Sequence, residues 1–181
     1  MEEIKIPKSL FDKFFINENW FKREPFSMHG ILHEYRVLVF SFLIGKKERA
    51  DVDALCYASI FHDTQRNDDG LDLEHADRAA EWVYKLDIPN IDKVKQIIKW
   101  HTPSDKDIPD FNLEIKCFKD ADALDRWRIG DLDEKYLRTE TAKELLEFSR
   151  KLFNLTDNNK QTIKDPRENM LESLLIMGVL E

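Results

Sequence analysis

The side chains best suited to chemistry are five histidines, His29, His33, His62, His75 and His101, all within the first 101 residues, and the doublet His62-Asp63. Each histidine can be set against the apolar stripe of its own helix. His33 shares a face with Val37, Phe40 and Ile44; His75 shares one with Ala79, Trp82 and Leu86; His101 continues Ile91, Val94 and Ile98. His62 shares a face with Leu55, Ala58 and Ser59, while Asp63 is rotated by roughly 100° on an ideal helix. Both can reach one point only if the helix ends there and the backbone unwinds. Asp122 lies on a stripe with Ile115 and Phe118, so a further carboxylate turns toward apolar surroundings.

An ionised carboxylate buried without a partner is very costly. A lone histidine on an apolar face is commonly a hydrogen-bonded core residue, but four inward histidines and two inward carboxylates from five helices have one shared solution, a divalent cation. Imidazole and carboxylate donors without paired cysteines suit Mn, Fe, Ni, Co, Zn or Mg and argue against a thiolate zinc site.

The elements that must position these groups read as helices. Only 5 Gly and 6 Pro occur in 181 residues, which predicts an all-α fold. Residues 8–22 carry Leu10, Phe11, Phe14, Phe15 and Ile16, as one helix or two short ones. A central helix is expected from Ser27 or Met28 to Gly45, with Gly45 as its C-terminal cap. Another runs from about Asp51 to the doublet, followed by the turn-rich stretch Arg66-Asn67-Asp68-Asp69-Gly70. Further helices are expected over about 72–86, 91–102, 112–128, 139–154 and 166–178, the fourth-last closing at Thr102-Pro103 and the next at Gly130. No repeat or linker divides the chain, so one domain is expected over 1–181.

The formal charge of -8 opposes non-specific binding to nucleic acid polymers or anionic membranes. Cys56 and Cys117 each sit in an apolar run and read as buried free thiols, the pattern of a cytoplasmic protein. The start Met1-Glu2-Glu3-Ile4-Lys5 is acidic where a signal peptide is basic. The apolar run Val37 to Ile44 is far shorter than the roughly 20 residues that cross a bilayer. The stripe Leu174 to Met177 packs on the chain's own core or on a second copy, so a monomer or homodimer is expected.

The ordered set His33, His62-Asp63, His75, His101, Asp122 resembles the HD-domain superfamily, helical metal-dependent proteins named for a His-Asp doublet. The likeness covers about residues 29–128. The segment from His62-Asp63-Thr64-Gln65-Arg66 through Asp69-Gly70-Leu71-Asp72 to His75 looks like the small phosphohydrolase members. The Gly-Tyr-Pro signature of cyclic-dinucleotide phosphodiesterases is missing, and the chain is short for the large deoxynucleotide triphosphohydrolases.

The resemblance implies an HD-type bundle with helical extensions at both ends, acting as a metal-dependent hydrolase of a small phosphorylated substrate such as a nucleotide. His33, His62, Asp63 and Asp122 would hold one ion. Asp63 would bridge to a second held by His75 and His101, and would steer the nucleophilic water. Arg66 and Arg126 would meet phosphoryl charge, and His29 would contact substrate. Two other readings share this ligand pattern, a di-iron oxygenase and a catalytically silent metal-binding regulatory domain.

Overall fold

The computed structural model describes residues 4–181, so the acidic Met1-Glu2-Glu3 start lies outside the described residues. Nine α-helices make up the described residues, with no strand beyond one isolated bridge. Helix α1 (Ser9–Lys13) and a 3₁₀ turn (Glu18–Trp20) lead to α2 (Ile31–Glu48) and α3 (Val52–Ser59). Then come α4 (His75–Val83), α5 (Ile91–Trp100) and α6 (Leu113–Leu124), followed by α7 (Glu140–Glu144), α8 (Leu146–Asn159) and α9 (Pro166–Ile176). The all-α expectation holds. None of these helices is long and apolar enough to cross a membrane.

Helix α2 is the axis of the bundle. It is apolar on every face from Val37 to Phe40, because α3, α6 and α9 surround it and α7 and α8 add to the cover. At the two ends of the chain, Ile6 pairs with the C-terminus: its N–H donates to Val179, and Glu181 N–H donates to the Ile6 carbonyl, both at 2.9 Å. In the last helix Leu174 is buried while Leu175 and Ile176 are exposed, so only part of that stripe reaches the core.

Two glycines are required by close approach. Gly45 lies inside α2, where a Cβ would meet the Leu55 side chain at 2.8 Å, and so lets α3 pack closely. The C-terminal cap is Arg49, in the left-handed region at φ 61°. At Gly30 a Cβ would lie 2.0 Å from the Pro25 carbonyl oxygen, which already accepts from Ile31 N–H at 2.8 Å. The turn at 25–30 therefore closes on a residue without a side chain, and α2 begins at Ile31 rather than at Ser27 or Met28.

Four helices start on a side-chain cap. Asp51 accepts from Ala54 N–H, Asn112 from Ile115 N–H, Thr139 from Ala142 N–H and Asp165 from Glu168 N–H, each satisfying a donor the first turn leaves open. The helix expected over 139–154 is two: α7 ends at Glu144, and α8 continues through the polar Thr156 to Asn159.

Candidate metal centre

The doublet sits just past the end of α3, as the phase argument required. The helix stops at Ser59, and the following turn carries Phe61, His62 and Asp63 inward together, all nearly fully buried. His33 comes from the first turns of α2, His75 opens α4, His101 follows α5 and Asp122 lies in the last turn of α6.

Six side chains converge. His33 Nε2 is 3.1 Å from His62 Nε2 and 3.5 Å from both Asp63 Oδ2 and Asp122 Oδ1. His62 Nε2 is 3.8 Å from Asp122 Oδ1 and 3.9 Å from Asp63 Oδ2. On the other side of Asp63, its Oδ1 is 3.0 Å from His75 Nε2 and 3.9 Å from His101 Nε2, and those two nitrogens are 3.1 Å apart. Asp63 thus offers one oxygen to each of two groups of ligand atoms.

The outer nitrogens decide what the inner ones can do. His33 Nδ1–H donates to Asp125 Oδ2 at 2.7 Å, His62 Nδ1–H to the Ser59 carbonyl at 3.1 Å and His101 Nδ1–H to the Ile98 carbonyl at 2.6 Å; His75 Nδ1 meets the Asp72 carbonyl. A ring whose single proton is held outside turns the lone pair of its Nε2 inward. Two lone pairs facing each other at 3.1 Å, as the His75 and His101 tautomers place them, are not a hydrogen bond; the His33 and His62 nitrogens, also 3.1 Å apart, share the additional proton that His62 holds, which an ion would displace. Ligands about 2.0–2.2 Å from one ion stand roughly 3.0–3.5 Å apart, so these separations, the buried carboxylates and the tautomers fit a divalent cation. The clusters His33, His62, Asp122 and His62, Asp63, His101 meet the distance requirement for a shared ion.

Electrostatics follow the same geometry. Burial pushes the Asp63 carboxyl upward, but the imidazoles of His62, His33 and His75 outweigh it and hold the group well below the usual carboxylate range. Asp122, a quarter exposed, is lowered in the same way, with His62 and His33 outweighing burial. Burial drives His101 down to about 3, with His62 and His75 acting in the same direction, so it stays neutral. For His62 burial acts downward, and the Glu34 and Asp63 carboxylates raise it well above 6.5.

Around these groups lies a supporting layer, in which Asp120 and Asp125 are expected from the sequence either to brace ligands or to face solvent. Asp125 is buried and accepts from Arg36 Nε at 2.5 Å and Nη2 at 3.0 Å besides His33. Glu34, next to His33 in the chain, accepts from Asp63 N–H at 3.2 Å through Oε1. Its Oε2 lies 2.9 Å from His62 Nδ1 but has no hydrogen bond, because the imidazole N–H points to the Ser59 carbonyl. Asp120 does not support a ligand: it accepts from the Arg138 and Thr139 backbone N–H groups and pins that loop to α6.

The three candidate substrate contacts fare differently. Arg66 reaches the cluster: its Nη1 is 3.4 Å from Asp63 Oδ1 and 3.2 Å from His75 Nε2, while Nη2 and Nε donate to the Gly70 and Asp68 carbonyls. His29 lies beside it, its ring 6.0 Å from that of His33 and its Nδ1 3.2 Å from Asp69 Oδ1. Burial, with Arg128, His33 and Arg66 adding, lowers His29 to about 4 against the pull of Asp63.

Arg126 is not brought in. It forms an exposed ion pair with Asp131, because α6 ends at Leu124 and a 3₁₀ turn (Arg126–Ile129) changes the phase of the chain. The buried cation of that turn is Arg128, which sits one turn beyond Asp125 and 3.8 Å from its Oδ2. That i, i+3 spacing is the signal by which it could have been found.

The HD domain family model matches residues 30–127. Among solved structures, the crystal structure of a predicted HD superfamily hydrolase from an uncultured Thermotogales bacterium is similar, with a TM-score of 0.57 and 26% identity over 80% of this chain and 86% of that one. No curated protein matches the chain significantly.

Proposed function

The chain belongs to the HD domain family, and on that premise we propose that it is a metal-dependent phosphohydrolase of small phosphoesters. The observation that carries this reading is the double convergence on Asp63, with His33, His62 and Asp122 on one side and His75 and His101 on the other. Paired sites sharing a bridging carboxylate suit the attack of water on phosphorus. The Thermotogales relative is itself called a hydrolase.

His33, His62, Asp63 and Asp122 would hold one divalent ion, and His75, His101 and Asp63 a second. Such an ion supplies charge that makes water acidic enough to act as nucleophile near neutral pH. The residues of the chain do the rest. Asp63, kept ionised by its imidazole neighbours, accepts a hydrogen bond from the attacking water and orients it. Arg66, fixed by two loop carbonyls, sets a positive charge beside Asp63 and His75, where phosphoryl oxygens gather charge in the transition state. His29, kept neutral by burial and standing beside His33, would offer a hydrogen-bonding group to substrate. The water oxygen bonds to phosphorus, the ester P–O bond breaks, and phosphate and an alcohol leave.

The expected substrate is a small phosphorylated molecule rather than a polymer, and the buried free thiols of Cys56 and Cys117 suit a reducing, cytoplasmic setting. The test is phosphate release from a phosphoester panel by protein loaded in turn with Mn, Fe, Ni, Co, Zn and Mg. Release that disappears in Asp63→Asn supports the reading. Oxygen consumption by iron-loaded protein with no phosphate released would replace it with an oxygenase.

A further inference from the structure

A cavity of about 640 Å³ opens against His33, a size typical of small-molecule pockets. Its wall comes from the 26–28 turn, the start of α2, Arg128, and the stretch from Phe153 to Asn169. Much of that wall lies outside residues 30–127, the part matched by the family model. The C-terminal helices, which contribute no ligand to the centre, are thus its neighbours across a cavity.

Arg128 is the informative residue. Its side chain is only 8% exposed, and its buried Nε–H has no acceptor among the described residues. Nη1 donates to the Asp125 carbonyl at 3.2 Å and lies 3.8 Å from Asp125 Oδ2. That carboxylate is already taken by two donors of Arg36 and one of His33, so among the described residues Arg128 has no acid to itself. A buried guanidinium with a vacant donor, lining a cavity, is a position for an oxyanion, carboxylate or phosphate, and the phosphohydrolase reading makes it phosphate.

The rest of the wall says what the anion is attached to. Phe153 presents a ring held by the Arg36 guanidinium, 5.4 Å from its centroid. Lys160 is paired with Asp157 in the lining, while Lys164, whose ammonium donates to the Lys160 carbonyl at 3.3 Å and pairs with no carboxylate among the described residues, adds positive charge there. Cationic groups beside an aromatic surface select a phosphorylated molecule with a flat ring.

We propose that this cavity binds the body of the substrate, a phosphomonoester of mononucleotide size, with Arg128 on the phosphoryl oxygens and the aromatic part along Phe153. The proposal rests on the phosphohydrolase reading for the identity of the scissile group, and its test does not depend on turnover.

Calorimetry on the full chain loaded with Mn²⁺ compares three probes: inorganic phosphate, adenosine, and the non-hydrolysable methylenephosphonate analogue of adenosine 5′-monophosphate. The analogue binds at least about tenfold more tightly than either phosphate or adenosine. Phe153→Ala removes about tenfold of the analogue's affinity and leaves phosphate unchanged. Arg128→Gln weakens phosphate and analogue together by about tenfold or more, at unchanged metal content. Arg128→Lys, which keeps the buried charge and guards against a folding defect, restores part of the loss.

The proposal is overturned if the analogue binds no more tightly than phosphate, if Phe153→Ala weakens both equally, or if both Arg128 variants bind like the parent. Binding as described with no phosphate released from any phosphoester upholds the cavity and removes the hydrolase reading. Hydrolysis with analogue binding indifferent to Phe153 does the reverse.

Discussion

Replacing Asp125 by Asn removes one charge from a buried arrangement in which that charge does two jobs. The carboxylate neutralises Arg36 through two hydrogen bonds of 2.5 and 3.0 Å and fixes the His33 tautomer through a third of 2.7 Å. Burial raises its pKa, but Arg36 and His33 bring it down to about 2, from an ordinary 3.8. Because the folded value lies below the unfolded one, the associated stability is present above pH 4 and is lost as pH falls toward 2. That part amounts to about 2.5 kcal/mol.

Leaving Arg36 buried beside an amide raises the total cost to about 3–5 kcal/mol, a drop in Tm of roughly 6–20 °C for a chain of this length. An amide also presents an N–H to either Arg36 or the His33 ring, so the lone pair of His33 Nε2 is no longer enforced, and metal affinity should fall about 10- to 100-fold. The assays are thermal unfolding between pH 2 and 7 and calorimetric metal titration near neutral pH. The variant should lose both stability and affinity, and its stability should depend less steeply on pH below 4. Parent-like metal affinity in a folded Asp125→Asn variant would refute the tautomer argument.

Three other substitutions and conditions separate parts of the account. Arg126→Ala removes only a pair whose side chains are 43% and 51% exposed, so stability should change by less than about 1 kcal/mol and turnover not at all; a large activity loss would return Arg126 to the site. Metal binding should release a proton and strengthen as pH rises, because His62 in the ion-free protein holds its proton well above pH 6.5, where Glu34 and Asp63 outweigh burial. Titration in buffers of different ionisation enthalpy counts that proton, and a count of zero would contradict the assignment. Gly30→Ala drives a Cβ into the Pro25 carbonyl, a contact with backbone that cannot rotate away; about 1–3 kcal/mol of stability should be lost, seen in denaturant unfolding.

The inward residues were legible because helical phase is a strong signal. His33, His75, His101 and Asp122 each sit on an apolar stripe, and an all-α reading of those stripes needs no long-range information. The doublet was legible for a different reason, since two adjacent side chains can meet at one point only beyond a helix end, and α3 does stop at Ser59. What escaped depended on local backbone choices and on distant partners. Arg126 and Arg128 exchange places because Asp125, at φ -91° and ψ 5°, leaves α6 and begins a 3₁₀ turn.

The stretch Thr156 to Lys164 reads as a polar break between two helices, yet it is helical as far as Asn159, with Thr156 Oγ1 donating to the Leu152 carbonyl and accepting from Arg36 at 3.2 Å. Gly45 looks like a cap until Leu55 is placed against it. Glu34 is an acid on an otherwise apolar helix, and its relation to His62 exists only once α2 and the turn after α3 are packed together.

The central claim is that Asp63 and the five side chains around it hold reactive divalent metal. Elemental analysis of the chain after loading and exhaustive dialysis, for the parent and for Asp63→Asn, addresses it most directly. The account predicts at least one tightly held divalent ion per chain in the parent and its loss from the folded variant. A parent that retains no ion, or a variant that retains as many, would contradict it.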